Sequence, residues 1–303
     1  MANTKEIKNR IKSVQDTQKI TDAMYLISST KLRRAKSDLD KTKPYFDGIR
    51  SEIKRFMRTA DKEIENRYLF PPNDAELPPG GYACLVVTAD KGLAGAYNQN
   101  AIKEAMKFKE ENPDTLYFVI GEYGRHYFRR HGIPYEESFL YTAADPSLSS
   151  ARRISSLLLD YYDKGRINKV FIVYTDMKNS LSYEAVSERL IPFHREHFER
   201  ANENEKPVQY KEFEFYPSLE TVLNTAIESY ICGYIYSALV DSFCAEQNAR
   251  MTAMSAASDN AQELVDSLRV KYNRVRQGSI TQEITEVSAG ARAQKKKSRE
   301  EIS

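Results

Sequence analysis

The loop sequence TADKGLAGAYN, residues 88–98, carries the glycines and polar side chains with the clearest chemical potential in this chain. Gly92 and Gly95 precede a helix-like stretch, and the free amides at a helix N-terminus attract phosphate groups. The spacing matches neither G-x-x-x-x-G-K-S/T nor G-x-G-x-x-G, two glycine patterns that bind phosphate by a known mechanism. We therefore favour a tight turn packed on its own domain, with a phosphate site as the alternative.

The histidines and cysteines are the other residue types with catalytic or metal-binding potential. His194 and His197 lie in the sequence HREH, but no third ligand is nearby, and surface histidines are the favoured interpretation. The three cysteines, Cys84, Cys232 and Cys244, are unclustered, which suits a reducing compartment and argues against disulfides or structural zinc. No Ser-His-Asp or Cys-His set can be assembled. We expect no catalytic residues, no metal and no cofactor.

Positive charge is concentrated near the N-terminus. Residues 1–60 hold 15 Lys and Arg against 7 Asp and Glu, although the whole chain has a net charge of only +2. Within this stretch Lys31, Arg33, Arg34 and Lys36 have three interpretations: a solvated helix face, a site for nucleic-acid phosphates, and a surface for an acidic protein partner.

Two long helices at the chain ends would position these groups. Pro44 is the only proline before residue 71, and none follows Pro217, so helices are predicted at about 3–59 and 218–289. The first carries a heptad seam, which is typical of a coiled coil: Ile7, Ile11, Val14, Gln18, Thr21, Tyr25, Ser28, Leu32, Ala35 and Leu39. Polar seam residues fix register at some cost in stability.

The C-terminal helix has two kinds of apolar pattern. A doubled stripe from Val222-Leu223 to Ala238-Leu239 predicts burial on two sides. The stripe then narrows to the spacing of a single partner helix, at Met254, Ala257, Ala261, Leu264, Leu268 and Val275. Four alanines would allow two helices to approach closely: Ala245, Ala249, Ala253 and Ala257. We predict antiparallel pairing of the long helices through Ile11, Val14, Leu32, Leu264 and Leu268.

The middle of the chain has the pattern of a small α/β domain. Apolar, β-branched runs predict buried parallel strands at 82–88, 115–120 and 168–175. Helical patterns separate or flank them at about 98–110, 122–131 and 147–163. Further strands are predicted within residues 181–193 and 209–216. Crossover helices between parallel strands indicate a Rossmann-like domain.

The predicted fold class is therefore α/β, with a long antiparallel coiled coil of N- and C-terminal helices and an inserted Rossmann-like α/β domain. The expected division is residues 1–60 for the first coiled-coil helix, 61–217 for the α/β domain with its proline-rich linker, and 218–303 for the last helix and a charged tail. The opening residues lack the apolar run of a signal peptide, so we expect a cytoplasmic chain.

Two stretches near the chain ends, IKNRIKSVQDTQKITDAMYLISSTKLRRAK and NARMTAMSAASDNAQELVDSLRVKYNRVRQGSITQEITEVSAGA, are distinctive in pattern. They resemble the first and last helices of the gamma-subunit family of F-type ATP synthases. The loop TADKGLAGAYN is similar to the family's loop after the first strand of its α/β domain. Ala94 stands where the family pattern Gly-Leu-Cys-Gly has its cysteine, so no thiol function transfers.

The resemblance implies a rotating shaft that couples ion flow through the membrane sector to ATP synthesis or hydrolysis, without catalysis of its own. One copy would turn inside a ring of three alpha and three beta subunits, and the α/β domain would contact the epsilon subunit and the c-subunit ring. The complex would lie on the cytoplasmic face of a bacterial plasma membrane. The implied beta-subunit contacts are Met24, Arg33, Arg34, Arg250, Gln277, Thr281 and Glu283.

The resemblance also implies an apolar shaft tip, formed by Ile280, Ile284 and Val287, that fits an apolar sleeve. A charged tail with Lys295, Lys296, Lys297 and Arg299 follows it. Because unpaired charges are costly to bury, we expect residues after about Ala293 to leave the sleeve and be disordered.

Two other function classes remain open on the sequence. One is a coiled-coil adaptor that binds nucleic acid or an acidic surface through its basic first helix, with strong salt dependence. The other is a nucleotide-binding enzyme that uses the loop between Gly92 and Gly95.

Overall fold

The structure, a computed structural model, describes residues 4–59, 66–69, 80–177, 182–194 and 215–300. The chain divides into a larger unit, Ser28–Met251, and a smaller unit formed by Met1–Ile27 and Thr252–Ser303. In chain order its elements are α1 (Thr4–Thr59), β1 (Gly81–Val87), α2 (Tyr97–Glu111), β2 (Thr115–Ile120), α3 (Glu122–Arg130), α4 (Leu148–Asp163), β3 (Ile167–Met177), β4 (Tyr183–Ile191) and α5 (Leu219–Glu300). The predicted fold class is confirmed.

The larger unit is built on a four-stranded sheet in the order β2-β1-β3-β4. Strand β1 runs parallel to β2 and β3, and β4 pairs antiparallel with β3. Alternate β1 residues point to opposite faces: Leu85 joins a core with α4 and α5, and Val86 joins a second core with α2 and α3. Helices cover both faces of the sheet, which explains why the sequences of the parallel strands are continuous apolar runs.

The first part of α5 is the main cover of one sheet face. Ser218 accepts a hydrogen bond from the Thr221 amide at 3.2 Å, which is the arrangement of a helix N-cap. From Tyr230 to Arg250 most residues of α5 are buried, so the predicted burial on two sides is confirmed. Helix α1 packs against the same core through Ile53, and a side chain at Gly233 would collide with the Phe46 ring of α1.

In the smaller unit α1 and α5 pair as antiparallel helices. Gln18 donates a hydrogen bond to Gln262 at 3.4 Å, and Ser258 donates one to Asp22 at 2.6 Å. Four residues forward on α1 therefore correspond to four residues backward on α5, which defines an antiparallel register. The polar seam residue Thr21 is buried here, as the heptad pattern predicts.

The structure corrects two positions of this seam. Leu264 is 41% exposed and Val265 is 1% exposed, so the predicted pairing through Leu264 is wrong. The buried row on α5 continues from Ala261 to Val265, four residues later. Leu264 precedes Val265 by one residue and therefore lies about 100° away from it around the helix. Tyr25 likewise lies off the seam of α1, with 38% of its surface exposed.

The end of α5 is a further correction. The helix was expected to end near residue 289, with disorder after about Ala293, but it continues to Glu300. Gly290 is the only strong helix breaker in this stretch, and Ala, Arg, Gln and Lys all favour helix. Intrinsic propensity therefore extends the helix through the charged tail.

Candidate functional site

The carboxyl ends of β1 and β3 form the place where an open α/β sheet usually binds ligands. The strand order reverses there, because the chain passes from β1 to β2 on one side and then to β3 on the other. The loop of residues 88–98 leaves β1 at this point. It is the loop in which a phosphate site was the alternative interpretation.

Helix α5 fills this crevice. Ala89, Ala94 and Tyr97 of the loop region form a buried cluster with Ala245 and Ala249 of α5. The row of alanines predicted to receive another helix thus receives this loop at its first two positions. A cavity beside the cluster, lined by Tyr97, Ser242 and Glu246, has a volume of about 10 Å³, which is room for about one water molecule. A nucleotide cannot enter this space.

Hydrogen bonds within the loop region use its own polar groups. The Asn98 side chain accepts from the Ala89 amide at 2.9 Å and donates to the Lys91 carbonyl at 3.3 Å. From the sheet side, the Thr175 amide donates to Ser242 of α5 at 3.0 Å. The favoured interpretation, a tight turn packed on its own domain, describes this geometry.

Arg250 ties the loop to α5. Its guanidinium donates to Glu246 at 2.6 Å and to the Gly92 carbonyl at 3.0 Å. The Arg250 and Glu246 side chains are only 10% and 7% exposed. Burial raises the pKa of Glu246, and the adjacent Arg250 charge opposes that shift. The pair is therefore a buried ion pair with a third, backbone partner.

Asp90, the acidic residue of the loop, accepts four hydrogen bonds from local donors. It accepts hydrogen bonds from the Thr142 hydroxyl, from the Ala143 and Ala144 amides at 3.0 Å, and from the Glu122 amide at 3.1 Å. These contacts satisfy the first turn of α3 and hold the segment before α4. Asp90 is thus a structural cap in this geometry.

The part of the chain that the structure describes supports neither a metal site nor a membrane-spanning helix. No group of three or more His, Cys, Asp or Glu side chains is placed to hold a metal ion there. His194 is exposed, His197 lies outside the described residues, and the predicted strand at 209–216 falls almost wholly outside them. Among the described residues, no helix combines the length and apolarity that a membrane span requires.

Comparison with known proteins identifies the family. The family model described as ATP synthase matches residues 3–294. The ATP synthase gamma chain of Acetivibrio thermocellus is 38% identical over 298 residues, which cover 97% of this chain and 100% of the relative. That of Caldanaerobacter subterraneus subsp. tengcongensis is 39% identical over 293 residues, covering 95% and 98%. The chain belongs to the ATP synthase gamma chain family.

Solved structures agree on the fold of this gamma chain. A chain of the Euglena gracilis mitochondrial ATP synthase, OSCP/F1/c-ring, matches with a TM-score of 0.64 and 15% identity, covering 96% of this chain and 94% of its own. One from the Tetrahymena thermophila mitochondrial ATP synthase, central stalk/c-ring, matches with a TM-score of 0.54 and 20% identity, covering 79% and 99%. The gamma chain is a non-catalytic stalk subunit, and the nucleic-acid adaptor alternative is not supported.

The contact residues implied by the resemblance differ in their environment. Met24 is half-buried on α1, and Arg34 is 83% exposed beside Asp38. Arg33 is exposed and bonds to Ser29 at 3.4 Å. Near the end of α5, exposed side chains belong to Gln277, Ile280, Thr281, Glu283, Ile284 and Val287. Arg250 is the exception, because its guanidinium is engaged within the chain.

Sequence reasoning did not single out Glu246 or Ser242, the α5 residues that complete the crevice. The available signal was the spacing of Glu246 and Arg250, four residues apart on a helix otherwise rich in apolar residues. Nothing in the sequence indicated that the Gly92 carbonyl is the third member of this group with Glu246 and Arg250. Every residue has a backbone carbonyl, so the residue type gives no signal for such a contact.

Asp241, five residues before Glu246 on α5, provides a pH-dependent test of this packing. Burial and nearby Asp176 raise the pKa of Asp241 to about 6, against opposing effects of Lys43, Lys36 and Ser237. Because the folded pKa lies above the unfolded value, stability contributed by the protonated carboxyl is lost as pH rises from about 4 to 6. We expect Asp241→Asn to raise the free energy of unfolding at pH 8 by about 1–3 kcal/mol.

Urea unfolding at pH 4 and pH 8 checks this prediction, since the advantage of the variant should vanish at pH 4. Asp145→Asn, which changes an exposed carboxyl, is the control and should show no such pH dependence. An equal gain at both pH values would contradict the burial of an ionisable Asp241.

Proposed function

We propose that this chain is the rotating central shaft of an F-type ATP synthase, with one copy inside a ring of three alpha and three beta subunits. Helix α5 is the observation that carries the proposal. It is a single helix of 82 residues, which corresponds to about 120 Å at the rise of an α-helix, and its apolar residues Ile280, Ile284 and Val287 are exposed. A stiff element of this length suits mechanical transmission.

The surface of α1 supports contact with an acidic partner. Arg33 and Arg34 are exposed, and the first 60 residues carry excess positive charge. We propose that Arg33, Arg34 and Met24 meet the beta subunits, together with Gln277, Thr281 and Glu283 of α5. Ile280, Ile284 and Val287 would occupy an apolar sleeve, since they are 46%, 64% and 74% exposed in the free chain.

The larger unit would face the membrane sector, where we propose contacts with the epsilon subunit and the c-subunit ring. Relatives among bacterial ATP synthase gamma chains imply a membrane-associated complex. We propose that this complex lies on the cytoplasmic face of the plasma membrane. The chain would transmit ion flow to the nucleotide sites without taking part in the chemistry.

The filled crevice opposes the enzyme alternative and leads to a prediction. The purified chain should hydrolyse ATP no faster than a protein-free blank, because the cavity between the loop region and α5 has room for only about one water molecule. A phosphate-release assay measures this rate. Turnover that is abolished by a point substitution in the loop, such as Asp90→Ala, would establish an active site and contradict the prediction.

Assembly is the positive test of the shaft. The tagged chain, expressed in cells and recovered from solubilised membranes, should bring down alpha and beta subunits in equal amounts. A chain carrying Arg33→Glu and Arg34→Glu should recover less of both. Recovery of nucleic acid without these subunits would support the adaptor alternative instead.

A further inference from the structure

The two terminal nitrogens of Arg250 bind two different structural elements. Nη1 donates to the Glu246 carboxylate, one turn earlier on the same helix, at 2.6 Å. Nη2 donates to the Gly92 carbonyl, 158 residues away in sequence, at 3.0 Å. The guanidinium therefore connects α5 to the loop that leaves the central strand β1.

The loop is shaped to accept this connection. At Gly95 an added Cβ would lie 4.0 Å from the Ala249 carbonyl oxygen, an ordinary van der Waals contact, so the loop backbone lies next to the helix. Leu93 has a φ of 61°, a left-handed backbone conformation that is uncommon for residues other than glycine. The surrounding structure must stabilise this conformation. Small residues on both sides, Ala94 and Ala245, permit the close approach.

Arginine is the residue that can make both contacts at once. Its planar fork directs separate N–H groups to two acceptors, whereas the lysine ammonium is a compact point charge that cannot span the same two positions. Glu246 is needed because a buried guanidinium without a counter-charge is strongly destabilising. Its carboxylate is itself buried, and so it cannot act on a partner subunit directly.

We propose that Glu246 and Arg250 form a clamp that fixes the loop of residues 88–98 onto α5, and that this clamp couples the α/β sheet mechanically to the shaft helix. Glu246 is the positioning residue, since it holds Arg250 against the Gly92 carbonyl. The proposal rests on the proposed function as a rotating shaft. It assigns to Arg250 an internal role in place of a direct beta-subunit contact.

Hydrogen exchange of the purified chain tests the clamp without any partner. In Arg250→Lys and Glu246→Ala, amides of the loop peptide should exchange about tenfold faster, the factor expected when a charged hydrogen bond is lost. Glu246→Gln keeps an acceptor and should lie between these variants and the parent. Arg269→Lys, at an exposed ion pair with Asp266 on the same helix, is the matched control and should leave the loop unchanged.

Unchanged loop exchange in both Arg250→Lys and Glu246→Ala would overturn the clamp. If Glu246→Ala does not fold, the comparison of Arg250→Lys with Arg269→Lys decides, because both substitutions retain charge. A similar increase in exchange over the whole chain would indicate general destabilisation and would also overturn the assignment.

Coupling in the assembled complex tests the mechanical role. In inverted membrane vesicles, the membrane potential generated at a matched rate of ATP hydrolysis should fall in Arg250→Lys and Glu246→Ala alike, with partial recovery in Glu246→Gln. If the membrane potential falls in Arg250→Lys but is fully retained in Glu246→Ala, Arg250 acts on a partner subunit, and the clamp is overturned. Failure of the parent chain to assemble would refute the proposed function, whereas the exchange experiment would still report on the loop.

Discussion

Ile284→Asp is expected to prevent stable assembly and to lower coupled ATP synthesis by more than about tenfold. Ile284 is 64% exposed on α5, and the proposed apolar sleeve would cover it in the complex. Burying an unpaired carboxylate costs several kcal/mol, and each 1.4 kcal/mol corresponds to about tenfold in an equilibrium constant. Co-purification with alpha and beta subunits and ATP synthesis by energised vesicles measure the two effects.

Two controls separate the tip from the rest of α5. Deletion of residues 294–303 should leave assembly and coupling unchanged, because the charged tail is expected to lie beyond the sleeve. Val270→Asp places the same charge at an apolar side chain that is 71% exposed and outside the proposed tip, and it should have a smaller effect. If the deletion abolishes coupling while Ile284→Asp is silent, the proposed position of the tip is wrong.

Gly121→Ala should lower the free energy of unfolding by about 3–5 kcal/mol, through backbone strain and a collision with the main chain. Gly121 joins β2 to α3 with a φ of 91°. An added Cβ would lie 2.3 Å from the Thr88 carbonyl oxygen and 2.7 Å from that of Ala89. These atoms belong to the backbone at the end of β1, so no side-chain rotation can relieve the contact. Urea unfolding followed by circular dichroism measures the change.

Gly132 supplies the matched control for this effect. It also has a positive φ, 63°, but an added Cβ there would meet no atom within 4 Å. Gly132→Ala should therefore cost only the backbone strain, about 1–2 kcal/mol. Equal losses in the two variants would show that the close approach of β2 to the end of β1 contributes nothing.

Periodicity and apolar composition were sufficient to predict most elements of this gamma chain. The runs at 82–88, 115–120 and 168–175 became β1, β2 and β3 with end shifts of two residues or fewer. Burial on both faces explains this success, because each strand needs apolar residues at nearly every position. The length of α5 was underestimated, since no signal in the sequence required the helix to end near residue 289.

The apolar pattern did not predict which seam residues of α5 are buried. Leu264 and Val265 are adjacent apolar residues, and both continue a stripe from Ala261. Their burial differs because Val265 lies on the face of α5 that packs against α1, whereas Leu264 lies beside that face. The register of the antiparallel pair is defined by the hydrogen bonds of Gln18 with Gln262 and of Asp22 with Ser258. The register is a property of the pair, and neither helix sequence contains it alone.

By itself, the sequence determined the two long helices, the parallel strands between them and the absence of a recognisable catalytic motif, because these depend on local periodicity and residue type. Only the tertiary structure decided what happens at the carboxyl ends of β1 and β3. There Arg250 meets a carbonyl 158 residues away, and α5 occupies the space in which an open α/β sheet usually holds a ligand. Contacts over such separations depend on how elements pack, since a backbone acceptor and a close alanine contact leave no pattern along the chain.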